Sequence, residues 1–178
     1  MLVHLQPALK GKLVELRPLY AEDFDALFAV ASDPLIWEQH PATDRYQEQP
    51  FRTFFQEALS SGGALIVRET RDNRVIGCSR FHGYDAERRE VEIGWTFLAR
   101  SHWGGRYNAE MKHLMLQHAF RFVDRVVFLV GPHNHRSQRA LEKIGGSRVG
   151  TRLDGNGRES ILYEITAATF RRLTGADE

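Results

Sequence analysis

The chain predicts a mixed α/β fold, a central sheet of about seven strands flanked by about four helices. Three observations carry this expectation. At 178 residues with 42% hydrophobic side chains, residues 1–178 fit one compact domain with ample core material. Segments of period two and segments of helical period interleave along the chain. Three consecutive strands are then followed by helix, strand and helix, so antiparallel and parallel pairs share one sheet. No repeat, low-complexity tract or Pro/Gly/Ser-rich linker interrupts a core running from about residue 13 to 165.

Leu13–Leu19 alternates apolar and polar residues and reads as the first strand. Ala21–Ser32 places Phe24, Leu27, Phe28 and Ala31 at helical spacing and closes at Asp33-Pro34. Pro50–Ser61 is a second helix with Phe51, Phe54, Phe55, Ala58 and Leu59 on one face, stopped by Gly62-Gly63. Ala64–Glu69 and Val75–Phe81 are strands joined by the turn Arg71–Arg74, and a further turn near Tyr84–Arg88 leads to the next. That strand, Arg89–Phe97, shows the cleanest alternation. Val91, Ile93, Trp95 and Phe97 are expected on one face, with Glu90, Glu92, Gly94 and Thr96 on the other.

Gly104–Phe122 is the longest helix, with Tyr107, Met111, Leu114, Met115, Ala119 and Phe122 inward and Arg106, Glu110, His113, Gln117 and Arg121 outward. Val126–Val130 is continuously apolar, as a central strand covered on both faces would be. Ser137–Ile144 is a short helix ended by Gly145-Gly146, and Ser147–Leu153 with Ser160–Ile165 forms a closing hairpin.

Composition removes several function classes. Twenty-four Lys+Arg against 23 Asp+Glu leave a net charge of +1, so nothing electrostatic favours nucleic acid or an anionic membrane as partner. One cysteine, Cys78, excludes an internal disulfide and a thiolate-cage metal site. No segment approaches the ~18–20 apolar residues that span a bilayer. The N-terminal residues show no signal-peptide pattern, so the cytoplasm is the expected location. Oligomeric state stays open, a homodimer included.

Chemistry concentrates in two stretches. Trp103-Gly104-Gly105-Arg106-Tyr107 opens a helix directly after the alternating strand and the loop Ala99–His102. A helix start presents unpaired N–H groups, and glycines there let an anion such as a diphosphate approach the backbone. A merely tight strand–helix connection would use the same two glycines. Neither the dinucleotide fingerprint nor the P-loop pattern is present. The second stretch, Asn134–Gly145, follows the central strand. The Asn134 amide sits where open α/β sheets place ligands, free to cap the next helix or to bond an amide-bearing ligand.

The runs IGWTFL (Ile93–Leu98), WGGRYNAEMKHLML (Trp103–Leu116) and NHRSQRALEKIGG (Asn134–Gly146) resemble the GNAT superfamily of acyl-CoA-dependent N-acetyltransferases. Within it they look most like the branch that acetylates the N-terminal alanine or serine of ribosomal proteins. The resemblance spans roughly Leu13 to Ile165 and implies the GNAT sheet, acetyl-CoA as co-substrate, an amine acceptor and no metal. It implies that Ser101, His102, Trp103, Gly104, Gly105, Arg106 and Tyr107 form the diphosphate loop. It implies too that the backbone of Ile93, Trp95, Phe97 and Leu98 holds the pantetheine arm, that Asn134 contacts this arm, and that Ser137 is the acid for the leaving thiolate. Two departures stand out. Arg106 replaces the last small residue of the usual loop, and Leu141 occupies the position where some relatives carry a tyrosine acid.

Amine acetylation needs a neutral amine, a stabilised oxyanion and a proton for the thiolate. An α-amine with reference pKa ~7.7–8.0 loses its proton near pH 7.4 for under ~1 kcal/mol, whereas a lysine at ~10.4 costs about 4. A weak base therefore suffices for an α-amine, and Glu92, on the polar face of the strand beside the loop, is the candidate; an ordinary solvated carboxylate is the plainer reading. Arg136, Arg139 and Lys143 either form a solvated helix face or meet the coenzyme's 3′-phosphate. Trp37 and His40 are candidate walls of an acceptor pocket. Cys78 and His82 lie about 13 Å apart along their strand, too far for a dyad. His133 and His135 lack a third metal ligand, and His113 and His118 do not share a helix face. The rival to an enzyme is a non-catalytic acyl-CoA-binding module with the same cleft; a plain structural domain would bind no coenzyme.

Overall fold

A computed structural model describes residues 3–175. The strands are β1 (Leu9–Lys10), β2 (Val14–Pro18), β3 (Ala64–Glu69), β4 (Val75–Asp85), β5 (Glu90–Leu98), β6 (Arg125–Val130), β7 (Ser147–Leu153) and β8 (Glu159–Thr166). The helices are α1 (Phe24–Ala31), α2 (Glu48–Ser60), α3 (Arg106–Ala119), α4 (His135–Lys143) and α5 (Ala167–Thr174). All eight strands form one sheet in the order β1-β2-β3-β4-β5-β6-β8-β7. Every pair is antiparallel except β5 with β6. The sheet is therefore mixed, as the succession of elements predicts.

Each face of the sheet carries its own core. On one face α3 lays Met111, Met115 and Ala119 against Val14, Leu65, Phe81, Val91 and Val126, and Leu141 of α4 joins them. On the other, Leu27 of α1 and Phe51, Phe54 and Phe55 of α2 pack on Ile66, Cys78 and Phe97. Val126, Val127 and Phe128 of β6 are all buried, which the continuous apolar run anticipates. Among the described residues no helix is long and apolar enough to cross a membrane.

The structure corrects the expected facing of β5. Val91 and Ile93 belong to the α3-side core, but Phe97 lies in the opposite core. The cause is a bulge. Arg80 pairs with Gly94 and Cys78 with Phe97, so Trp95 and Thr96 together oppose the single residue Ser79. Trp95 adopts φ +51°, a conformation uncommon for any residue but glycine, and every side chain beyond it changes face.

Other differences are local. The two-residue β1 has no period to read, and α5 buries no residue fully, so neither leaves a pattern. β4 runs on to Asp85 because its end pairs with the start of β5. α3 begins at Arg106 because Gly104 and Gly105 hold φ +105° and +109°, outside the helical region. Glu110 is not a solvated face residue. Its carboxylate accepts the backbone N–H groups of Lys12, Leu13 and Val14 at 3.0, 2.7 and 2.8 Å, pinning the start of β2 to α3.

Candidate active site

β5 and β6 are in register only at Glu90–Arg125, Val91–Val126 and Glu92–Val127. Beyond Glu92 the two strands part. From Ile93 to Leu98 the backbone of β5 thus has no strand partner on that side among the described residues, which leaves a wedge open in the sheet. α3 and α4 both begin at its mouth. The two lips meet where the Arg136 guanidinium stacks 3.9 Å from the Trp103 ring centroid. The side chains of Phe97 and Leu98 are buried in the two cores, so this strand offers a ligand mainly its backbone.

The α3 lip is held by a carboxylate. Glu69, at the end of β3 and only 5% exposed, accepts from Tyr107 Oη (2.9 Å), His102 Nε2 (3.1 Å) and Arg74 (3.2 Å). Since a carboxylate only accepts, His102 carries its proton on Nε2, and Nδ1 takes a hydrogen bond from Ser101 Oγ at 2.8 Å. These donors hold the Glu69 pKa down to about 2. His102 and Tyr107, expected to touch the coenzyme, have their side chains committed to Glu69. What the loop presents instead is backbone. α3 has no side-chain cap, and a Cβ on Gly104 or Gly105 would enter open space. Their positive φ is what requires glycine here. Unpaired N–H groups facing open space at the positive end of a helix suit a diphosphate. Trp103 Nε1 donates to the Leu98 carbonyl at 3.0 Å, while Arg106 is exposed at the first helical position.

At the α4 lip, Asn134 is the N-cap: its Oδ1 accepts from the Ser137 N–H at 3.3 Å. Ser137 is therefore the third helical residue and not the cap. Its half-buried hydroxyl has no hydrogen-bond partner among the described residues. Arg139 and Lys143 are exposed on α4.

Glu92 borders the wedge on the α1/α2 side. Its carboxyl folds over Gly94, where an added Cβ would lie 3.2 Å from Oε1. Burial pushes its pKa up to about 7, against the opposing pull of Arg152 and Arg80. His40 is held neutral, its pKa pushed down to about 4 by burial and then by Arg45 and Arg158. Trp37 is not an open pocket wall. It is 2% exposed, donates Nε1–H to the Ala31 carbonyl and packs on Phe97, with His40 edge-on against it at 5.4 Å. Cys78 is buried core, its thiol pushed up to about 12. Among the described residues no group of three or more His, Cys, Asp or Glu is placed to hold a metal ion. A hollow of about 820 Å³ lies behind the loop, lined among others by Val30, Asp33, Arg100, Ser101 and His102; it shares those last two residues with the loop but touches none of Gly104, Gly105 and Asn134.

Residues 14–147 match the acetyltransferase (GNAT) domain family. The chain belongs to the GNAT acetyltransferases. Solved structures share this fold. A GCN5-related N-acetyltransferase from Brucella melitensis superposes with a TM-score of 0.80 at 21% identity, covering 96% of this chain and 83% of that one. A GNAT-family acetyltransferase from Bacillus anthracis gives 0.73 at 24% identity, covering 90% and 98%. Mycobacterium smegmatis RimJ, solved in complex with CoA-disulfide, gives 0.71 at 20% identity, covering 96% and 93%. Among curated proteins, none matches the chain. The GNAT family transfers acetyl groups from acetyl-CoA.

Several residues that shape this GNAT site escape sequence reasoning. Glu69 reads as the last residue of a strand. Lys112 reads as a surface residue of α3, yet it is 5% exposed, donates to Thr96 Oγ1 at 2.6 Å and has its pKa pushed down to about 7 by burial. It ties α3 to the bulge. Arg80 sits within a strand and is also 5% exposed. An isolated charged residue inside an apolar strand pattern is the one signal that marks it.

Glu69→Gln should lower both the urea midpoint at pH 7 and the affinity for acetyl-CoA, since the loop loses its charged acceptor. The depressed Glu69 pKa adds stability that is complete above the unfolded carboxyl value, about 4.5, and fades as pH falls toward about 2. The gap between wild type and variant in urea titrations should narrow across that window; a pH-independent gap would contradict the assignment.

Proposed function

We propose that the chain transfers the acetyl group of acetyl-CoA directly to a primary amine, of a protein N-terminus or a small molecule, with both substrates bound together. The observation that carries this reading is Glu92: a carboxyl near pKa 7, without a hydrogen-bond partner among the described residues, beside the parted strands. In this scheme the diphosphate rests on the N–H groups at the start of α3, and the Asn134 amide, whose Nδ2 is not used in the cap, donates to the pantetheine arm.

Glu92 takes a proton from the ammonium, directly or through water. The freed amine nitrogen attacks the thioester carbonyl, the C–N bond forms, and collapse of the tetrahedral oxyanion breaks the C–S bond. Ser137 donates a proton to the departing thiolate and recovers one from solvent. Moving a proton from an α-amine of pKa ~7.7–8.0 to a carboxylate near 7 costs about 1 kcal/mol, against about 4–5 from a lysine side chain, so this base suits low-pKa amines. Leu141, where a tyrosine acid would stand, is buried in the α3-side core and has no part in the scheme. Release of coenzyme A with a panel of amines separates this enzyme from a binding module, since only the enzyme liberates thiol.

Glu92→Gln should cut kcat by roughly 10²–10⁴. In the wild type kcat/KM should rise with pH through about 7 as Glu92 loses its proton, and the variant should lack that limb while keeping the one set by the amine. An unchanged profile would remove Glu92 from the mechanism.

Because Asn134 provides the cap, Ser137→Ala should shift unfolding free energy by no more than about 0.5 kcal/mol. If Ser137 is the acid, kcat should still fall by roughly 10²–10⁴, and less so for thioesters with a lower leaving-thiol pKa. Near-full turnover would leave thiolate protonation to water.

A further inference from the structure

Two arginines on the Glu92 face form no ion pair among the described residues, although Glu57 lies near enough to both, and Glu92 near enough to Arg80, to act on their charge. Arg80 is 5% exposed, and its Nε and Nη2 are fully buried without a hydrogen-bond partner. Arg45, half-buried in the loop before α2, forms no ion pair among the described residues. Both guanidiniums lie against one ring, Phe54, at 5.7 Å for Arg80 and 4.6 Å for Arg45, and Arg80 also stacks 4.4 Å from Trp95. Elsewhere in the chain such groups are paired: Arg17 with Asp23, Arg125 and Arg152 with Glu90. The other buried unpartnered guanidine nitrogen, Nε of Arg68, belongs to a group already paired with Glu15.

A buried guanidinium with open donors is costly unless something brings it an acceptor. Glu92 does not. Arg80 pairs with Gly94 in register and His82 with Glu92, so Arg80 and Glu92 share a face of the sheet, yet they form no ion pair. Glu57, the other nearby carboxylate, is exposed on α2 and bonds neither arginine. Above Gly94, then, a proton acceptor and an unsatisfied fork donor lie side by side.

We propose that the acceptor is a primary amine carrying a carboxylate, the amine held at Glu92 and the carboxylate bound by the Arg80 fork, with Arg45 adding positive charge. This rests on the transfer reading above. A fork of N–H donors matches a planar carboxylate, and the surplus of positive charge opposes a polycationic amine. The same chemistry has two sources: the α-carboxylate of a free amino acid, or an acidic side chain on the first residue of a peptide.

The test is calorimetric titration of the coenzyme A-saturated protein with acetylated products, which needs no turnover. N-acetyl-L-alanine is compared with N-acetyl-L-alaninamide, acetyl-Asp-Ala-Ala-amide with acetyl-Asn-Ala-Ala-amide, and N1-acetylspermidine with all four. The carboxylate member of one pair should bind roughly tenfold or more tightly than its amide, and that pair names the source. In Arg80→Gln the ratio should collapse toward unity; in Arg80→Lys, which keeps the charge but not the fork, it should shrink. Equal or tighter binding of both amides, or of acetylspermidine, overturns the proposal, as does a preference that survives Arg80→Gln. Failure of the transfer reading shows separately, as no acetyl-CoA binding or no thiol release with any of the matching free amines.

Discussion

β5 and β6 run side by side for three paired residues and then separate, and the rest of the molecule is arranged around that separation. An open wedge in a sheet exposes backbone donors and acceptors that a fold normally satisfies. Here the bulge at Trp95 and Thr96 reshapes β5 just beyond its last paired residue, and both cores hold the bulge in place. Lys112 bonds Thr96 from the α3 side, while Phe97 packs on Trp37 from the other. Because the wedge is framed by packed side chains, it is a built feature of the sheet. An extended, amide-bearing arm can satisfy its backbone in the way an added strand would.

Two carboxylates of the same residue type illustrate how environment assigns roles. Glu69 is buried among three donors, stays ionised and acts as a mechanical anchor for the loop and for the start of α3. Glu92 is half-buried with no hydrogen-bond partner of its own among the described residues, and desolvation raises its pKa to about 7, where it can both accept and release a proton. The anchor therefore ties the loop and the start of α3 to the end of β3, and in the proposed scheme the poised carboxyl serves the reactive side of the wedge. Neither could replace the other without exchanging surroundings.

Much of the fold was legible because period and punctuation survive in the chain. The strand alternation of residues 89–93, the stripe of α3 and the apolar run of β6 each have one packing solution. The alternation misled beyond Gly94, since a bulge keeps the apolar spelling while reversing the face. α5 and β1 were silent because they bury too little. For the site, the motif runs located the loop and the start of α4, but the partners of each side chain depend on residues far apart in sequence. Glu69 lies 33 residues from His102, and Glu110 lies 97 from Leu13, distances no local pattern spans. Lys112 became conspicuous only once burial was known, while Arg80 left one faint mark, a charge inside an apolar strand.

Amide hydrogen exchange with and without acetyl-CoA tests the central claim most directly, because it reads the backbone of the wedge itself. If the separation of β5 from β6 is the coenzyme slot, acetyl-CoA should slow exchange at amides within Ile93–Leu98 and at the start of α3, around Gly105–Asn108. Protection confined to the hollow beside Asp33 and Arg100, or absent from β5 at saturating coenzyme, would contradict the account.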